Sequence, residues 1–218
     1  MPNDTPSTHQ KALTINLDDK IYGTIAEIGA AQEVARWFFQ VGAAAGSVAK
    51  TLSAYDKQIS DDIYGEAGRY VSRERLESML SREYELLIQR LSDTRGQDTR
   101  FFAFCNTVSA RNYAGTNECQ GWVGIRFQSK VGGPPNTVIL HINMLDDTNL
   151  AQQEVVGILG VTLIYAVFFH ADGSGHGLAT LGDNTGTARL EADLVDATGP
   201  AFEGVDAIST GMAIVQGG

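Results

Sequence analysis

Along the chain, apolar side chains first recur every three or four positions and then, past Gly96, every second position, so the sequence reads as helices followed by a sheet. Residues 1–19 form a polar arm ending in the alternation Leu13, Ile15, Leu17, expected to fray or to pair as an edge strand. Thr24 with Glu27 three residues on has the spacing of a capping box, and Val34, Trp37, Phe38 and Val41 continue one apolar face, which predicts a helix over 24–41. A second helix is expected over 47–64, with Val48, Leu52, Tyr55, Ile59 and Ile63 on one side. The third, over 72–92, has Ser72 as its cap. Leu76, Met79, Leu80, Tyr84, Leu87, Ile88 and Leu91 lie on one face, and mixed-sign charges on the other.

The sheet region is expected over 100–197. Residues 101–108, 122–128 and 137–144 read as strands, and the turn residues from Gly132 to Asn136 join the last two as an antiparallel pair. Asp147 or Thr148 caps an element that starts as a helix through about Gly160; Val161 to Phe169, rich in branched and aromatic residues, reads as more helix or as a strand, with helix favoured, and the alternation of Leu190, Ala192 and Leu194 marks a further strand. A strand returning after that helix suggests a β-α-β crossover, with the last strand parallel to another. The expected fold is α+β: a helical front, then a mixed sheet with a crossover helix, forming one domain over 20–218 that stops within what reads as another helix and so suggests a truncated C-terminus.

The composition supports a packed core. Apolar residues are 43% and charged residues 19% of 218 residues, ordinary for a folded domain. A net charge of −10 repels phosphate backbones and anionic lipid, so neither nucleic acid nor membrane is an expected partner. The fifteen uncharged residues 155–169 are too few for a span of roughly 20 and read as a buried element of a large core. Two cysteines without metal-ligand spacing, and a polar beginning, point to reduced thiols and the cytoplasm.

Candidate chemistry is sparse. The run from Gly42 to Thr51 has the glycines and the Lys50-Thr51 pair of a phosphate loop. However, Ala49 stands where that loop has glycine, and a helix is expected where it has a strand. The glycines from Gly173 to Gly177 follow a helix instead of a strand, which removes the dinucleotide reading, and His170, Asp172 and His176 make an ordinary loop set and not a metal site. Glu33 and Arg36 pair along a helix, Asp61-Asp62 and Asp146-Asp147 read as caps, and Cys119 has no neighbour to activate it. The constellation with most chemical content lies on the sheet. Strand alternation puts Arg126 on one polar face with His141 and Asn143, where a guanidinium beside an imidazole suits an anion, with His141 as acid or base.

Six stretches resemble a family of bacterial proteins often labelled nicotinamide mononucleotide adenylyltransferase. They are Lys20-Ile-Tyr-Gly-Thr-Ile-Ala-Glu-Ile-Gly-Ala30, Gln32-Glu-Val-Ala-Arg36, Tyr70-Val-Ser-Arg-Glu-Arg-Leu76, Arg100-Phe-Phe-Ala-Phe104, Asn117-Glu-Cys-Gln-Gly-Trp122 and Gly199-Pro-Ala-Phe-Glu-Gly-Val-Asp206. The resemblance implies a nucleotide-handling protein with a second half beyond this chain. The H-x-G-H run that such an adenylyltransferase needs is missing, its nearest counterpart being Gly173-Ser-Gly-His176. Two readings follow: a protein that binds a nucleotide or small anion, its cofactor unspecified, with Arg126, His141 and Asn143 as ligand residues; and a noncatalytic homo-oligomeric scaffold, which a broad exposed apolar face on 28–41 would favour.

Overall fold

The computed structural model describes residues 5–170, 178–186 and 188–204. A six-stranded mixed sheet of order β2-β1-β3-β4-β5-β6 lies between two helical layers. Its strands are β1 (Ile21–Gly29), β2 (Val48–Ala54), β3 (Arg100–Ser109), β4 (Gln120–Gln128), β5 (Pro135–Met144) and β6 (Leu190–Thr198). On one face α1 (Thr8–Leu17), α2 (Val34–Val41) and α5 (Asn149–Phe169) enclose the main core, in which Ile25, Phe102, Phe104, Ile125 and Leu140 meet Val34, Phe38, Leu159 and Leu163. On the other, α3 (Lys57–Tyr64) and α4 (Arg73–Arg95) pack Tyr64, Leu76, Met79 and Leu80 onto Ala26, Ile28 and Cys105.

The α+β class and the mixed sheet are as the sequence implies, as are α4, α5, β3, β4 and β5. The front of the chain differs in detail, because each of the first two expected helices is a strand followed by a short helix. Thr24 and Glu27 lie in β1, which is buried on both faces and therefore lacks the alternation of a half-exposed strand. Glu27 does cap a helix, but one that starts seven residues later. In the second stretch the apolar spacing runs across a boundary: Val48 and Leu52 belong to edge strand β2, and Asp56 caps α3 through Ile59 N.

The expected frayed arm is helix α1, opened by a reciprocal Ser7–Gln10 capping box and anchored by Ala12, Ile15 and the buried Lys11, whose ammonium meets Asp183 at 2.9 Å. Strand β6 runs antiparallel to β5, not parallel to a neighbour, because β6 begins at the end of the sheet where β5 finishes, with Leu190 beside Met144. Helix α5 is long and apolar enough to cross a membrane by length and composition, yet 72% of its most apolar stretch is buried against the rest of the protein. The apolar face of 28–41 is likewise spent on the core: Ile28, Ala31, Val34 and Phe38 are buried, and Phe39 is exposed.

Candidate functional site

β1, β2 and β3 are parallel, with β1 in the middle. The chain leaves β1 for β2 by way of α2 on one face, and leaves β2 for β3 by way of α3 and α4 on the other. Connections that depart in opposite directions leave a crevice at the carboxyl ends of the central strands, where open α/β sheets bind their ligands. A cleft of about 670 Å³ opens there. Gly29 and Ala30 end β1 at its floor, and Val108 and Ser109 end β3 beside them. Gly29 has φ +84°, and a Cβ on it would lie 2.3 Å from Val108 O and 2.7 Å from the Tyr70 hydroxyl, so the floor requires glycine. Burial of Tyr70 pushes its phenol up to about 12, and the hydroxyl donates to Tyr55 O at 3.2 Å.

Two cations flank the cleft. Lys57 opens α3 and meets Asp61 at 2.5 Å. Asp61 also takes the guanidinium of Arg75, and the hydrogen bond from Lys57, before the charge of Arg75, holds its carboxyl below the usual range. Arg111 follows β3 on the opposite rim, and among the described residues it pairs with no carboxylate. Its backbone is fixed: Arg111 N donates to Gln152 Oε1 at 2.7 Å, and Arg111 O accepts from Asn149 Nδ2 at 2.8 Å, which ties the loop to the first turn of α5. Tyr55, 73% exposed, and Tyr113, fully exposed, provide an aromatic ring on each rim. Asn117 closes the loop by donating to Ser109 Oγ and Ala110 O at 3.1 and 2.8 Å.

The three residues singled out on the sheet do not form one group. His141 faces Trp122 across the β4–β5 ladder, with ring centroids 4.6 Å apart. Its Nδ1 lies 2.6 Å from Asp193 Oδ1 and its Nε2 3.1 Å from Gln120 Oε1, and Asn143 Nδ2 donates to Asp193 Oδ2 at 3.0 Å. His141 and Asn143 thus share a carboxylate on β6. Arg126 is on the same face but pairs with Thr137, four residues or roughly 13 Å along the strand from His141. It lies under α4, with its guanidinium 5.5 Å from the Tyr84 ring centre. The polar row nevertheless borders the cleft, since Gln120 is the cross-strand partner of Ser109.

The other motifs contribute no site. Gly42–Thr51 forms the end of α2, a short turn and β2, with Lys50 meeting the buried Glu83 at 2.5 Å. His170 packs edge-on against Tyr165, while Asp172, His176 and the glycines between them lie outside the described residues. Among the described residues no group of three metal-ligating side chains occurs. The cleft escaped sequence reasoning because its residues come from five separate strand and helix ends. The signal available was Gly29-Ala30 directly after an apolar run, together with the polar-aromatic loop Arg111-Asn112-Tyr113.

A mixed sheet between helical layers, with a cleft at the carboxyl ends of its parallel strands, defines a three-layer α/β/α fold. Among solved structures the chain is similar to a competence/damage-inducible protein from Agrobacterium tumefaciens (14% identity, TM-score 0.51, 77% of this chain and 99% of that one). It is also similar to a competence-damaged (CinA) superfamily protein from Enterobacter cloacae (14%, 0.52, 76% and 94%) and to the competence damage-inducible protein A of Klebsiella pneumoniae (11%, 0.52, 73% and 96%). At these identities the likeness is one of fold. No protein-family model and no curated protein matches the sequence. The solved structures correct the adenylyltransferase resemblance: Lys20 to Ala30, one of the stretches that carried it, is β1 and its turns, and the fold is that of the competence-damage proteins.

Proposed function

We propose that the protein binds a small anionic ligand carrying a planar ring, of the nucleotide class, in the cleft at the carboxyl ends of β1 and β3. The observation that carries this reading is the pairing of two cationic side chains, Lys57 and Arg111, with two exposed tyrosines, Tyr55 and Tyr113, around one crevice of about 670 Å³ in a molecule of net charge −10. A phosphate or carboxylate suits the cations through charge-assisted hydrogen bonds. A base suits the tyrosines by stacking, worth about 1–3 kcal/mol in nucleic-acid sites. Ser109, Asn112 and Asn149 supply hydroxyl and amide groups to orient it.

Titration with adenosine monophosphate, adenosine and inorganic pyrophosphate tests the reading, because it requires both halves of the ligand. The monophosphate is expected to bind tighter than adenosine or pyrophosphate. Arg111→Ala and Lys57→Ala are each expected to weaken it roughly tenfold, the worth of one charge-assisted hydrogen bond. Equal affinities in wild type and both variants would overturn it, as would saturation by none of the three probes.

A further inference from the structure

The first turn of α2 is held by a residue outside the helix. Its N-cap residue, Glu33, makes no side-chain cap, and the amides of Val34 and Ala35 have no carbonyl partner within the helix. Both donate instead to Glu27 near the carboxyl end of β1, Val34 N to Oε1 and Ala35 N to Oε2, each at 3.1 Å. Glu27 is only 2% exposed, and its third partner is Asn106 on β3, whose Nδ2 donates to Oε1 at 3.0 Å. The other amide atom, Asn106 Oδ1, is buried and has no hydrogen-bond partner. No second bond therefore fixes the orientation of this amide. Rotated by half a turn, it presents an acceptor where it now presents a donor.

We propose that Glu27 and Asn106 form a proton-operated latch on α2, and thereby on the Gly29–Ala30 edge of the cleft. With Glu27 ionised, its two oxygens accept the amides of Val34 and Ala35 while Asn106 Nδ2 donates to it. With Glu27 protonated, the carboxyl O–H donates to Asn106 Oδ1 after the amide turns, one carboxyl oxygen is no longer a full acceptor, and the first turn of α2 loses a cap. Between Glu27 and α2 the chain runs through Gly29 and Ala30 of the cleft floor, where Gln32 Nε2 donates to Gly29 O at 3.2 Å.

The surroundings suit a proton held near neutrality. Burial, the largest influence, pushes the Glu27 carboxyl up to about 7 against the lowering effect of its hydrogen bonds, and the neighbouring Glu33 carboxylate raises it further. From α2, Arg36 also borders Glu27, and its charge is shared with Glu33 at 3.2 Å. From β2 the facing residues are Thr51 and Ser53, neither of which titrates in this range, and from β3 it is Asn106, while the thiol of Cys105, itself raised by burial, lies on the opposite face of the sheet. From α5, Gly157 packs against Glu33 and carries no charge. A groove of about 420 Å³ between α2 and β2 reaches Glu27 and gives protons a path to solvent.

The latch needs no ligand; only its effect on occupancy rests on the reading of the cleft, so the test is made on the free protein. Amide hydrogen exchange of Val34 and Ala35, corrected for the intrinsic pH dependence of exchange, is followed from about pH 5.5 to 8.5 alongside the ¹³C shift of the Glu27 carboxyl. Protection at these two amides is expected to fall by roughly tenfold on acidification, with the same midpoint as the carboxyl and with amides in the centre of α4 unaffected. Glu27→Gln should make the protection independent of pH. The proposal is overturned if the carboxyl titrates below about pH 5.5, or if Val34 and Ala35 keep constant protection while it titrates. Both of those readouts come from wild type and hold even if the variant folds poorly.

Discussion

Arg75 carries its guanidinium into the interface between α3 and α4 with 1% of the side chain exposed. Nη1 donates to Ser60 O at 3.3 Å, Nη2 meets Asp61, and Nε has no partner. A buried cation so placed adds little net stability, but removing it takes away one of the two cations on Asp61, deprives Ser60 O of its guanidinium donor and leaves a cavity in the interface. Arg75→Ala is expected to cost about 3 kcal/mol in chemical denaturation, and a loss below about 1 kcal/mol would contradict this account of the interface. Glu27 makes a prediction of opposite sign. Its folded-state pKa, about 7, lies above the ordinary carboxyl value of 4.5, so the stability it contributes is complete below about pH 4.5 and is lost as pH rises through 7. The stability difference between wild type and Glu27→Gln should therefore shift in favour of the variant by on the order of 3 kcal/mol between pH 4 and 8. Any constant cost of the amide cancels in that comparison, and a difference that stays flat with pH would rule out the raised carboxyl.

At the scale of elements, α5 approaches α2 and β3 by way of small residues. A Cβ on Gly160 would lie 2.3 Å from Val34 Cγ2 and 2.9 Å from Phe104 Cζ. Valine at 34 is β-branched and stiff, so the contact cannot be relieved by a rotamer change alone. Gly160→Ala gains about 1 kcal/mol of helix propensity yet is expected to lower stability by about 1–3 kcal/mol, because overpacking outweighs it; a melting temperature at or above wild type would show that the interface has room. How legible an element was follows from its surroundings. α4 keeps an apolar stripe against a solvated face, and β3 to β5 carry branched and aromatic runs between turn residues, so both patterns survive in the sequence. β1 is buried on both sides and β2 is a half-exposed edge, so neither alternates, and the helical spacing that seemed to run through them belongs partly to α2 and α3.

The whole molecule brings together what the sequence keeps apart. Gly29, Tyr55, Lys57, Ser109, Arg111 and Asn149 come from the ends of β1, β2, β3 and the starts of α3 and α5, and only the strand order makes them one cleft. His141 and Asn143 were legible as face-mates because they stand two positions apart on one strand, whereas their spacing from Arg126 depended on a register that the turn at 129–134 sets. Attraction between an anionic ligand and the two cleft cations is screened by salt, so the affinity for adenosine monophosphate should fall as ionic strength rises from about 0.05 to 0.5 M, and a salt-independent affinity would argue against Lys57 and Arg111 as its partners.

The most direct test of the cleft is a titration of ¹⁵N-labelled protein with adenosine monophosphate, followed amide by amide. The account predicts that shifts concentrate at Gly29, Ala30, Ser109 and Arg111 to Tyr113, which line the cleft, and leave Thr137 to Ile142 unmoved. Shifts centred on His141 and Arg126, or none at saturating ligand, would contradict it.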